Sequence, residues 1–141
     1  MDRGAADIDA ELAGEPEVKA RLEEVLARVY ENLGLYRQAM RHMRGAIDGR
    51  RAVHGRDDRG ALFLQLDLAW LQRQQGQLDD GRATMREALA LIEETAPDDR
   101  EVRAGALFVN GVLLRDTGEF AAAAASLEEA RELREEVYGP E

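Results

Sequence analysis

The stretch Leu33-Gly34-Leu35-Tyr36-Arg37-Gln38-Ala39 returns as Gln75-Gly76-Gln77-Leu78-Asp79-Asp80-Gly81 and again as Thr117-Gly118-Glu119-Phe120-Ala121-Ala122-Ala123. Its glycines fall at 34, 76 and 118, so the period is 42 residues both times. Such self-similarity marks a chain built from stacked supersecondary units. Each copy reads glycine, any residue, a large apolar residue, two more, then alanine or glycine. Seven positions after that small residue stand Ala46, Ala88 and Ala130, and seven before the glycine stand Ala27, Ala69 and Gly111.

Each residue type has a mechanical reason. A glycine that follows a helix can turn left-handed without a Cβ penalty. Tyr36, Leu78 and Phe120 then open the next helix and plug the bend. The small residues let two antiparallel helix axes approach closely. Tyr36, Met40, Met43 and Ile47 recur at helical spacing and form one apolar face. Working outward, the pattern predicts about seven helices: a short one over Ala5 to Leu12, then pairs over Pro16 to Leu33 and Leu35 to Val53, Asp57 to Gln75 and Gln77 to Thr95, and Pro97 to Thr117 and Glu119 to Tyr138. Residues 1–14 form an N-terminal helix or cap, and 15–141 a repeat domain with units of about 16–56, 57–96 and 97–141. Pro16 suits a first helical position, and Asp57-Asp58 and Asp98-Asp99 are expected in helix first turns, where carboxylates favour the dipole.

Composition agrees with an all-α chain. Hydrophobic residues make up 45% of the 141 residues and aromatics only 5%, with Ala, Leu, Glu and Arg dominant, which favours helix. A formal charge of −10 argues against nucleic acid as a partner, since holding phosphates needs a clustered cationic surface. No cysteine is present, which removes disulfides, thiolate nucleophiles and cysteine-ligated zinc. The longest uncharged run, Ala104 to Leu114, is too short to span a bilayer, so no membrane insertion by this segment is expected.

Catalytic chemistry finds little to stand on. Ser126 is the one serine and lies inside a helix. His42 and His54 read as surface or boundary histidines, and no base-and-orienter set beside a hydroxyl is suggested. The Asp57-Asp58, Asp79-Asp80 and Asp98-Asp99 pairs lack calcium-loop spacing, and there is no phosphate-binding glycine loop. No enzyme activity, metal or cofactor is expected.

The Gly-x-(large apolar)-x-x-(small) junction, in three copies from about Glu15 to Glu141, resembles the tetratricopeptide repeat in a lengthened form. Its longer helix ends, Arg50-Arg51-Ala52-Val53-His54-Gly55 and Arg134-Glu135-Glu136-Val137-Tyr138-Gly139-Pro140-Glu141, look like kinesin light chain repeats. The resemblance implies a right-handed α-solenoid of antiparallel helix pairs and a protein or peptide as partner. It also implies that ligand contacts come from the first helix of each pair. There the residues expected to line a groove are Arg28, Phe63, Leu66, Trp70, Arg73, Phe108, Val112 and Arg115, an apolar strip with arginine at its rim. Trp70 and Phe63 fit the groove or the core equally. Kinesin light chain repeats grip a peptide backbone with an Asn on each first helix; Val25, Asp67 and Val109 stand there instead, which favours a hydrophobic mode.

A second resemblance covers Glu11-Leu12-Ala13-Gly14-Glu15-Pro16-Glu17-Val18-Lys19-Ala20-Arg21-Leu22 and Val29-Tyr30-Glu31-Asn32-Leu33-Gly34-Leu35-Tyr36, which is similar to the tail of bacterial serine/threonine protein kinases. It implies that the chain is a fragment, the interaction tail of a larger signalling protein, cytoplasmic unless the parent is a membrane-anchored kinase. The alternative is homo-oligomerisation through the C-terminal helix, whose Phe120, Leu127, Leu133 and Val137 are expected to lie uncovered. Unequal charge supports it: seven arginines face three acids from Arg37 to Arg59, and eight acids face two arginines from Asp116 to Glu141, fields that could steer head-to-tail contact.

Overall fold

The computed structural model describes residues 12–140, and these form six helices with no strand. They are α1 Pro16–Asn32, α2 Tyr36–His54, α3 Arg59–Gln74, α4 Leu78–Thr95, α5 Arg100–Asp116 and α6 Phe120–Tyr138. The chain is therefore all-α. The helix expected over Ala5 to Leu12 lies outside the described residues apart from Leu12, which sits in a bend.

The three repeated glycines do what their type allows. Gly34, Gly76 and Gly118 have φ of 75°, 75° and 85°. Behind each, two reversed hydrogen bonds close the helix: Leu35 N–H donates to Tyr30 C=O at 2.9 Å and Gly34 N–H to Glu31 C=O at 3.0 Å. The same pair recurs from Gln77 to Gln72 and Gly76 to Arg73, and from Glu119 to Leu114 and Gly118 to Arg115. This double bond satisfies the orphan carbonyls of a helix end and turns the chain back on itself.

The other junctions use aspartate. Asp58 accepts from Ala61 N–H at 2.9 Å and Asp99 from Val102 N–H at 3.2 Å, so each caps a helix by satisfying a first-turn donor. The two residues therefore stand just before α3 and α5, not within their first turns as the sequence suggested. Asp79 and Asp80 do lie in the first turn of α4.

The residues group into two compact units, Met1–Leu64 and Gln65–Glu141, with the boundary inside α3. In the first, α1 and α2 pack antiparallel. Their contact face is made of small residues: Ala27, Ala39 and Ala46 are fully buried, and Gly49 stands so close to Ala20 that a Cβ on it would lie 2.9 Å from the Ala20 methyl. In the second, the α3 segment, α4, α5 and α6 follow the same plan. Ala69 and Ala88 are fully buried, Gly81 backs onto the Ala69 carbonyl, and Gly111 admits Leu127. Large side chains such as Met43 in the first unit and Met85, Ile92 and Leu113 in the second fill what remains, each worth about 1.5–3 kcal/mol of transfer free energy.

One polar rung crosses every hairpin at equivalent positions. In the first unit it joins Glu23 to His42, in the second Gln65 to Thr84 and Leu107 to Ser126. Gln65 Nε2 donates to the Thr84 carbonyl at 3.2 Å and Ser126 Oγ to the Leu107 carbonyl at 2.8 Å. His42 Nδ1 lies 2.5 Å from Glu23 Oε2, with both residues buried. His42 is thus a core residue and not the surface histidine expected; His54 is exposed, as read. The ring of Tyr30 stacks on His42 at 5.2 Å between centroids, and Gly45 leaves the space that the Glu23 carboxyl occupies.

The uncovered strip expected on α6 is mostly covered. Leu133 is buried and Leu127 and Val137 are half-buried, leaving Phe120 and Tyr138 exposed at opposite ends of the helix. The intervening outward positions hold Glu128, Arg131 and Glu135, joined as ion pairs.

Candidate protein-binding surface

Of the eight residues expected at a groove, Arg28 and Phe63 belong to the first unit and the other six to the second. In the first, Arg28 is exposed and paired with Glu31 at 3.3 Å. Phe63 is half-buried under the guanidinium of Arg59, whose Cζ stands 4.9 Å from the ring centroid. In the second, the structure assembles a connected set. Trp70 of α3 stacks on Phe108 of α5 with centroids 6.0 Å apart and planes 24° from parallel. Arg73, one helical turn beyond Trp70, lays its guanidinium 4.9 Å from that ring. It also pairs with Asp116 at the end of α5.

Two expected groove residues are packed away. Leu66 and Val112 are 5% and 4% exposed, and Leu66 fills the space above Gly105. Leu66 lies in the contact between α3 and α5, whose edge is left to water. Phe108, at 37% exposure, is that edge. Trp70 is half-buried, so the groove and core readings both describe part of it.

Sequence reasoning missed Arg134. It comes from α6, a second helix of a pair, and stands 5.5 Å from the Phe108 ring centroid. The sequence points to first helices alone, and no spacing rule links position 134 to 108. The surface thus carries two rings in contact, each with an arginine over it. Cations over aromatic faces are held by the ring quadrupole, and Arg73 is further fixed by Asp116. The hydrogen bond from Arg73 holds the Asp116 carboxyl below its ordinary range, with Arg115 at 3.6 Å adding to it. Arg115 itself stays exposed, its side chain 53% accessible.

The arrangement offers rigid aromatic area with guanidinium donors at its margin, which suits an apolar or acidic peptide side chain. Among the described residues no group of three or more His, Asp or Glu could hold a metal ion, and no helix is long and apolar enough to cross a membrane.

A family model for the tetratricopeptide repeat matches residues 24–59 and 111–141. Over those two stretches the chain is similar to the tetratricopeptide repeat. Solved structures share their fold over most of the chain. BtubC (BKLC) from P. vanneervenii superposes with a TM-score of 0.79 over 96% of this chain and 55% of its own, at 19% identity. A candidate kinesin light chain from Podosopora anserina with nearly identical TPR-like repeats gives 0.73 over 88% of this chain and 59% of its own, at 17% identity. At such identities the likeness is one of fold. This chain spans little more than half the length of either of them. No curated protein matches the sequence.

Proposed function

We propose that this chain is a non-catalytic scaffold that captures a protein or peptide partner, and that the capture surface is the Trp70–Phe108 stack with Arg73, Arg115 and Arg134 around it. The observation that carries the reading is the half-exposed aromatic pair held under two guanidinium groups. A rigid anchor of this kind loses little conformational entropy on binding, so more of the contact energy appears as affinity. The tetratricopeptide repeats support a role in protein interaction. The stretch from Glu11 to Tyr36 supports placing the scaffold in a larger bacterial signalling protein, such as a serine/threonine kinase. Self-assembly through α6 has weaker support, since its outer face is charged along most of its length.

Trp70 is the one tryptophan of the chain, so its fluorescence reports on this surface alone. Peptides pairing an aliphatic or aromatic side chain with a neighbouring acid, selected from a displayed library for binding, are expected to shift Trp70 emission. The Phe108→Ala variant should bind them at least tenfold more weakly with its helical circular dichroism intact. A folded Phe108→Ala protein that binds the selected peptides undiminished would remove this surface from consideration.

A further inference from the structure

Each ring of the aromatic pair carries a guanidinium, but the two assemblies differ by one member. On Trp70 there are three parts: the ring, Arg73 at 4.9 Å from its centroid, and the Asp116 carboxylate that pairs with Arg73. On Phe108 there are two, the ring and Arg134 at 5.5 Å. Among the described residues Arg134 has no carboxylate partner. The sequence around it explains why. Side chains meet along a helix at spacings of three and four, and from position 134 those neighbours are Ala130, Arg131, Val137 and Tyr138. None is an acid.

The acids nearby are already engaged or point elsewhere. Glu128 and Glu135 share Arg131, Glu129 pairs with Arg103, and Glu136 pairs with Arg100. Glu132 stands two positions from Arg134, a spacing that does not bring side chains face to face. Asp116 is held by Arg73 and, at 3.6 Å, by Arg115. Arg134 itself is exposed. It lines a cleft of about 350 Å³ with Arg131, Glu135, Tyr138 and Gly139, so a group arriving over Phe108 finds room beside the guanidinium. A guanidinium can lie over a ring and still offer its N–H fork to a carboxylate. Asp116 on Arg73 is that arrangement inside the chain.

We propose that Arg134 is the residue that makes this surface select an acidic side chain. The partner's apolar residue covers the exposed edge of Phe108, and an Asp or Glu beside it takes, on Arg134, the place that Asp116 takes on Arg73. The inference rests on the capture surface proposed above, and it names which of the three arginines reads the acid. Arg73 and Arg115 contribute less to that choice, because Asp116 already meets their charge.

The probe is a displayed library of random linear peptides, selected on the full chain. It should enrich an apolar side chain with Asp or Glu beside it. The best such peptide, remade with Asn for Asp or Gln for Glu, should bind the parent about threefold to fivefold more weakly by Trp70 fluorescence, the range of a well-placed exposed ion pair. Added salt should shrink that difference. Arg134→Gln should bind the acid and amide forms alike, and Arg134→Lys, which keeps the charge without the fork, should fall between. Arg115→Gln should narrow the preference less than Arg134→Gln does. Arg103→Gln, which removes an equal charge from the same helix pair, should leave it unchanged. Circular dichroism should show every variant helical. An acid preference that survives in folded Arg134→Gln, or a larger loss from Arg115→Gln or Arg103→Gln, overturns the inference. The capture surface still stands in that case, provided Phe108→Ala loses the peptides. Peptides that Phe108→Ala binds as well as the parent, or a library from which the parent enriches nothing, overturn both.

Discussion

Glu23 and His42 put a carboxyl group and an imidazole inside the first helix pair, 2.5 Å apart, with the imidazole stacked on Tyr30. Burying such groups is tolerable only while each has the other, because either one alone would sit desolvated without a partner. Glu23→Ala should therefore cost about 3 kcal/mol in urea denaturation, as should His42→Ala. The two losses should not add, since removing the second group also removes the stranded one. Additive losses in a double-mutant cycle would show that the pair is not coupled. The 42-residue register holds the signal that could have revealed this rung: His42, Thr84 and Ser126 occupy one column and Glu23 and Gln65 another. Read one at a time, a histidine on a helix gives no hint of what lies 19 residues away.

At the scale of helices, the repeat works because small residues recur where axes must meet. Gly111 is the tightest such point between α5 and α6: an added Cβ would lie 2.7 Å from Leu127 Cγ and 3.3 Å from the Leu127 backbone nitrogen. The side chain could rotate away but the backbone could not, so Gly111→Ala should force the two helices apart. A loss of about 1–3 kcal/mol is expected, read as a lower thermal midpoint, and Gly111→Ser should be no better. An unchanged midpoint for Gly111→Ala would mean that the helix pair has slack the structure does not show. The sequence displayed this column openly, since Ala27, Ala69 and Gly111 share one register. It misplaced the starts of α3 and α5 by two or three residues. Two adjacent aspartates look alike on paper, and only the position of the free N–H groups decides which of them becomes the cap.

For the molecule as a whole, acid sensitivity has a carboxylate in each compact unit. Burial would raise the Asp58 carboxyl, but the hydrogen bonds from Arg50 and the Ala61 N–H outweigh it, and its pKa falls below the ordinary 3.8. Asp116 falls below 3.8 chiefly through the Arg73 hydrogen bond. A depressed folded-state pKa means that the unfolded chain takes up protons first as the pH drops. The stability these groups contribute is complete above pH 3.8 and disappears as the pH falls through their lower folded values. Asp58→Asn and Asp116→Asn should each be less stable than the parent at pH 7, and the gap should narrow as the pH falls below 3.8. A gap that does not narrow with falling pH would assign the loss to shape and not to charge.

What the sequence by itself determined is everything local and periodic. Helix identity, the left-handed glycine turns, the small-residue seams and the pairing of neighbouring helices follow from side-chain size and backbone freedom, which each residue carries with it wherever it sits. Tertiary structure alone decided which apolar residues stay at the surface. Leu66 and Val112 look like groove residues until a neighbouring helix covers them, Arg134 reaches Phe108 from 26 positions away, and Val29 is exposed where its register twin Leu113 is not. Burial is a property of what stands opposite a residue, and a one-dimensional pattern names the residue but not its neighbour.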